Sequence, residues 1–341
     1  MSQMEENKGW NLIPYTFSRF KDRPLGLLMM FSMQKITGTS SLTVLKFIPS
    51  LLGPALVLTM FYFMWEATQN WTVSSLTALV AAFSYPVTIG MLVGLLSNWT
   101  ALIGVYLFSA LMMKSMREKE WKWIILSAST LVLVLFTHLY TWAMVMGVLG
   151  VYTLLMIILR MREEKDVQWP LKNLIAILTC NVGVHFIRDL LSGSTGKAAA
   201  VAGSRLSLEF LPLFWSNLQK TLQTSLHKFY LNPLILLLTL IGAFLVCLRK
   251  KPVHHYLISW LIISSLFIVL GDYNAQWRIL YNLPLPILAT FGFDHILRFI
   301  DSFEILKINT LKLICILLVV LINANYGLRC TYQLLEIFVF N

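Results

Sequence analysis

Between two apolar runs of membrane-spanning length lies Gly271-Asp-Tyr-Asn-Ala-Gln-Trp-Arg278, followed at once by Ile279-Leu-Tyr-Asn-Leu-Pro-Leu-Pro286. It sets an acid, Asp272, and an arginine, Arg278, beside amides and aromatics. In a chain that otherwise avoids charge, such a cluster at a membrane boundary marks a candidate functional site. The planar fork of an arginine can hold an anionic group through paired hydrogen bonds, and a nearby carboxylate can orient a substrate or accept a proton. Arg278 therefore reads either as an anion-binding group or as a span-end arginine reaching for the interface.

Four further places carry similar chemistry. Arg188 and Asp189 directly follow another apolar run and either bind substrate or pair with each other. Arg205 lies in the Gly-flanked stretch 193–207, which either orders over a bound substrate or stays solvated. His138, within Thr137-His-Leu-Tyr-Thr141, sits at a sharp hairpin, where an imidazole either donates to a polar ligand or caps the turn. Asp22 stands between Lys21 and Arg23, whose charges favour its carboxylate form; that suits a general base or a local ion pair.

Other polar residues read more plainly. His254-His255 adjoins Lys250-Lys251 and suits contact with anionic lipid. His185 and His295 show no ligand-spaced acidic partner, so no metal cluster is assembled and no cofactor is expected. Cys180, Cys247, Cys315 and Cys330 lack CxxC spacing and read as small core residues. Asn70-Trp-Thr and Asn98-Trp-Thr match the glycosylation sequon by chance, one on the inner side and one against the membrane.

The elements that must position these groups are membrane helices. Hydrophobic residues make up 57% of 341 positions and charged ones 13%, with a mean hydropathy of +0.72. That is the composition of a polytopic membrane protein in contact with the lipid bilayer. The net charge of +11 lies in short clusters between apolar runs, as the positive-inside rule requires, so no nucleic-acid partner is expected. The polar start, Met1 to Gly9, leads into no apolar run, and no cleavable signal peptide is expected.

The basic segment 10–23 and a short apolar helix from Pro24 to about Lys35 lie along the interface. Spans follow at about 44–65, 73–96, 101–113, 123–136, 139–159, 174–187, 233–248, 255–270, 279–296 and 308–324, about ten in all. A long connection, 188–228, includes an amphipathic helix carrying Phe210, Phe214 and Trp215. The expected organisation is one transmembrane domain over 1–341: an external or interfacial segment 1–40, a first group of spans 41–190, an external loop 191–228 and a last group 229–341.

The basic loops Arg117/Lys119/Lys122, Arg160/Arg162/Lys165 and Arg249/Lys250/Lys251 are separated by even numbers of spans and share one side, taken as cytoplasmic. Asn98, 137–141, 188–228 and 271–278 then share the external face, presumed that of the plasma membrane. Arg19 to Arg23 also falls outside, with no apolar segment before it.

Lys21-Asp-Arg-Pro-Leu-Gly-Leu-Leu-Met-Met-Phe and Val44-Leu-Lys-Phe-Ile-Pro-Ser-Leu-Leu-Gly-Pro-Ala are similar to the acidic helix and following span of the GT-C superfamily of membrane glycosyltransferases. Ser97-Asn-Trp-Thr-Ala-Leu102, Leu135-Phe-Thr-His-Leu-Tyr-Thr141 and Gln276-Trp-Arg-Ile-Leu-Tyr-Asn-Leu-Pro-Leu-Pro286 resemble its later landmarks, the last one as in archaeal members. The resemblance covers nearly the whole chain, with the first span of the family absent. It implies a GT-C-like bundle with interfacial helices on the external face. The implied reaction moves a sugar, with inversion, from a polyprenyl-phosphate (dolichyl-phosphate type) donor to an external glycan or protein acceptor. Asp22 would be the catalytic base, while Arg278, Arg188 and His138 hold phosphate and Asp189, Arg205 and Asp272 contact substrate. A truncated, non-catalytic relative and a transporter of lipid-linked or anionic substrates are the alternative readings; a transporter favours internal repeats and mid-span charge, and the sequence shows no repeats and nearly no mid-span charge.

Overall fold

A computed structural model describes residues 24–84, 86–88, 96–161, 168–192, 212–223, 232–302 and 308–339. Every regular element among them is an α-helix: α1 (Pro24–Thr37), α2 (Ser41–Thr68), α3 (Trp71–Ala82), α4 (Leu96–Glu118), α5 (Trp121–Thr137), α6 (Leu139–Met161), α7 (Gln168–Ser192), α8 (Phe214–Leu222), α9 (Pro233–Cys247), α10 (Pro252–Leu270), α11 (Tyr273–Asn282), α12 (Leu285–Asp301) and α13 (Ile308–Val339).

Six of these helices hold a stretch long and apolar enough to cross a membrane: Thr43–Thr68, Leu96–Glu118, Leu139–Met161, Gln168–Leu190, Pro252–Leu270 and Thr310–Arg329. At about 1.5 Å per residue a helix of roughly 20 residues covers a hydrocarbon core of about 30 Å. Trp71–Ala82, Trp121–Thr137 and Pro233–Cys247 are shorter apolar helices. Leu240, Phe244 and Leu321 point outward, each about two-thirds exposed. Such an outer surface suits lipid, and the chain is an all-α membrane protein.

The chain divides into two units, Met1–Thr59 with Leu95–Leu208, and Met60–Gly94 with Glu209–Asn341. In the first, α4 and α5 form a helical hairpin with α6 and α7 against it, and α1 lies on α4 and α5. A Cβ at Gly104 would stand 2.6 Å from Val134 Cγ2, and one at Gly26 would stand 3.0 Å from Ser97 Oγ. Close approach of α4 to α5 and of α1 to α4 thus depends on those glycines. Gly38, at φ +64°, ends α1 in the left-handed conformation that a side chain disfavours.

In the second unit α9 and α12 cross with backbones almost in contact. A Cβ on Gly242 would overlap the carbonyl of Leu288, and a Cβ on Gly292 would overlap that of Leu238. Small residues at such a crossing let helices approach where lipid supplies no hydrophobic drive for association. Leu76, Val80, Ile235, Leu238, Ala289, Phe293, Leu297 and Val319 form the core around it.

Candidate functional site

The first unit gathers its polar side chains at the end where α5 turns into α6. α5 ends at Thr137 and α6 begins at Leu139, so His138 alone links them. Its carbonyl accepts from Trp142 N at 3.1 Å and its Nδ1 accepts from Thr141 N at 3.2 Å, which makes it the N-terminal cap of α6. Thr141 Oγ1 lies 2.8 Å from the same Nδ1 and donates to Asn98 Oδ1 at 2.7 Å. Asn98, His138 and Thr141 are all buried, so this chain of bonds ties the first turn of α4 to the α5–α6 turn. The capping alternative for His138 is therefore satisfied, whatever else the ring does.

The next residue carries the network to α7. Trp142 donates its indole N–H to Asn181 Oδ1 at 3.2 Å, and Asn181 Nδ2 donates to the carbonyls of Ile177 at 3.0 Å and Ala128 at 3.4 Å. A buried asparagine inside an apolar run thereby joins α5, α6 and α7. Beside it the Trp142 and His185 rings meet at 4.8 Å between centroids, tilted by 55°.

His185 Nδ1 faces Asp189 Oδ1 at 3.7 Å, and Arg188 Nη1 lies 4.0 Å from the same oxygen. The side chains of His185, Asp189 and Arg188 are 30%, 20% and 11% exposed. The sequence reading that His185 lacks a spaced acidic partner is thus corrected: Asp189 stands one helical turn on, at i+4, on the same face. Arg188 and Asp189 do approach each other, as one of their two readings held.

Asp272 and Arg278 belong to the second unit. Asp272 precedes α11, its carbonyl accepting from Gln276 N at 3.0 Å, and Arg278 is half-buried on that helix. Much of the polar character of this stretch is structural. Gln276 is buried, donates to Ile268 O at 2.9 Å and accepts from Thr221 Oγ1 at 3.0 Å, pinning α11 to α10 and α8. Tyr281 donates to Pro86 O at 3.1 Å. Asn282 is fully buried, and neither of its amide atoms has a hydrogen-bond partner among the described residues.

Asp22 and Arg205 lie outside the described residues, as does Phe210; Trp215 of α8 is exposed. No set of three or more His, Cys, Asp or Glu residues able to hold a metal ion occurs among the described residues. Asn70 accepts from Val73 N at 3.1 Å as the cap of α3, and Asn98 is buried, so neither sequon asparagine is offered as an open acceptor.

Sequence reasoning set Asn98 and 137–141 on one face but missed Trp142, Asn181 and His185 as members of the same polar end. The i, i+4 spacing of His185 and Asp189 was a signal available in the sequence; the meeting of Trp142 with Asn181 and His185 was not. No family model matches the chain, and no curated protein matches it.

Proposed function

We propose that the protein is a membrane glycosyltransferase, moving a sugar with inversion from a polyprenyl-phosphate carrier to a glycan or protein acceptor. The observation that carries this reading is the gathering of Arg188, Asp189, His185 and His138 at one end of the α4–α7 helix group. An arginine among hydroxyl, amide and imidazole groups at the end of a span suits a lipid-linked phosphate, which presents its charge at that depth.

The basic turn Arg117–Lys122 stands at the opposite end of α4 and α5, which favours the cytoplasm for that end and the external face of the plasma membrane for the site. The six long apolar helices support this reading, which takes the three shorter ones and α12 as four further spans.

In this reaction the acceptor oxygen attacks the anomeric carbon from the face opposite the phosphate. The bond from that carbon to the phosphate oxygen breaks, its electron pair leaves with the polyprenyl phosphate, and the acceptor's proton passes to a base. Arg188 holds the leaving phosphate and His138 is its second donor. The resemblance assigns the base to Asp22, and α1, which begins two residues later, has Gly26 in its first turn against Ser97, next to Asn98.

The test is sugar transfer by the purified protein in liposomes charged with radiolabelled polyprenyl-phosphate sugars and offered glycan and peptide acceptors. Arg188→Ala is expected to lower kcat/KM by about 10- to 100-fold, the value of a charged hydrogen bond of about 1.5–3 kcal/mol. Absence of donor binding and of transfer by the wild-type protein would mark a non-catalytic scaffold and overturn the reading.

A further inference from the structure

We infer that His185, oriented by Asp189 and Trp142, is the group that accepts the proton of the attacking hydroxyl or amide; this rests on the glycosyl-transfer reading above. An imidazole is the side chain best suited to take a proton near neutral pH, provided one nitrogen is held protonated and the other carries an open lone pair. At His185 the Nδ1 edge is buried and turned toward Asp189 Oδ1 at 3.7 Å. A carboxylate there favours the Nδ1–H tautomer and leaves Nε2 as the basic nitrogen. The ring is 30% exposed, and with Nδ1 buried that exposure falls on the rest of the ring.

Its orientation is set from the far side as well. Trp142 packs on the ring at 4.8 Å, and Trp142 is itself held by Asn181, which is bound to carbonyls of both α5 and α7. A histidine placed only for packing needs no carboxylate on the following turn. His138, the other imidazole at this end, already spends Nδ1 on the cap of α6.

Arg188 shares the Asp189 oxygen at 4.0 Å, which sets the cation for the leaving phosphate next to the proton acceptor. As the acceptor oxygen bonds to the anomeric carbon, its proton moves to His185 Nε2 and the imidazolium is stabilised by Asp189. The bond to phosphate breaks in the same step, and the proton later returns to water. Asp189 acts here as a positioning residue.

The liposome transfer assay decides it with His185→Ala, His185→Gln and Asp189→Asn. Loss of a general base lowers kcat by about 10²- to 10⁴-fold. His185→Ala and His185→Gln are expected to show that loss with KM near the wild-type value, and added imidazole to restore part of the kcat of His185→Ala. Asp189→Asn should lower kcat by about tenfold with KM unchanged. Full kcat in His185→Gln overturns the inference while leaving the glycosyl-transfer reading in place. A wild-type protein that transfers no sugar overturns both.

Discussion

At the Lys114 end of the α4–α7 group, Asn173 donates to the Ser115 hydroxyl and the Trp169 indole donates to the Ser115 carbonyl at 3.0 Å. Around that neutral latch Glu120 and Lys122 turn outward, 47% and 61% exposed, while Lys114 and Glu118, 20% and 32% exposed, lie closer in. Trp123 donates to Glu118 at 2.5 Å while Lys114 lies over its ring at 3.9 Å. At the His138 end the same helices are joined by an equally buried neutral set, Asn98–Thr141 and Trp142–Asn181, but here the charged groups are drawn inward. Withdrawing an arginine and a carboxylate from water costs free energy that a neutral latch avoids. One end therefore has the character of a fastening in water or headgroups, and the other that of a fastening with a charged cluster built upon it.

The sharpest way to break this contrast is Trp142→Ala. It removes a buried aromatic and both of its partners at once, so thermal unfolding in detergent should show a loss of about 3–5 kcal/mol together with loss of transfer. A variant that unfolds as wild type would mean that Trp142 does not join the helices. A smaller effect is expected from Thr141→Val, which leaves Asn98 Oδ1 without its donor; stability should fall by about 1–3 kcal/mol. At the opposite end Asn173→Ala should cost about 1–2 kcal/mol in the same measurement while kcat stays at the wild-type value. Loss of kcat there, without unfolding, would erase the distinction between the ends. Lys122→Ala, which breaks an exposed pair with Glu120 and a contact over the Trp123 ring, should leave the unfolding temperature nearly unchanged.

Local hydropathy carried much of the helix layout. The run expected at 139–159 is α6, Leu139–Met161, and the run expected at 233–248 is α9, Pro233–Cys247, opened by the Asn232 side chain that accepts from Leu234 N. α7 starts at Gln168, six residues before the expected 174, because its first turns are polar and amphipathic and so fall outside an apolar window. Asn181 and His185 interrupt an apolar run and looked incidental, since nothing near them in sequence shows that Trp142 will meet both. Gly242 and Gly292 give no local hint that they face each other; fifty residues separate them, and only the crossing of α9 with α12 makes each necessary.

The sequence by itself determined that this is an all-α membrane protein and that one turn, Thr137 to Thr141, gathers hydrogen-bonding groups. These follow from hydrophobic length, caps and turn residues, all of which act within a few residues of one another. Tertiary structure decided the rest: that residues 60–94 group with the second half of the chain, that Gln276 and Tyr281 fasten α11, and that His185 rather than a more conspicuous residue stands between an aromatic ring and a carboxylate. Those outcomes depend on how far each helix is rotated about its own axis, and that rotation is set by packing against its neighbours.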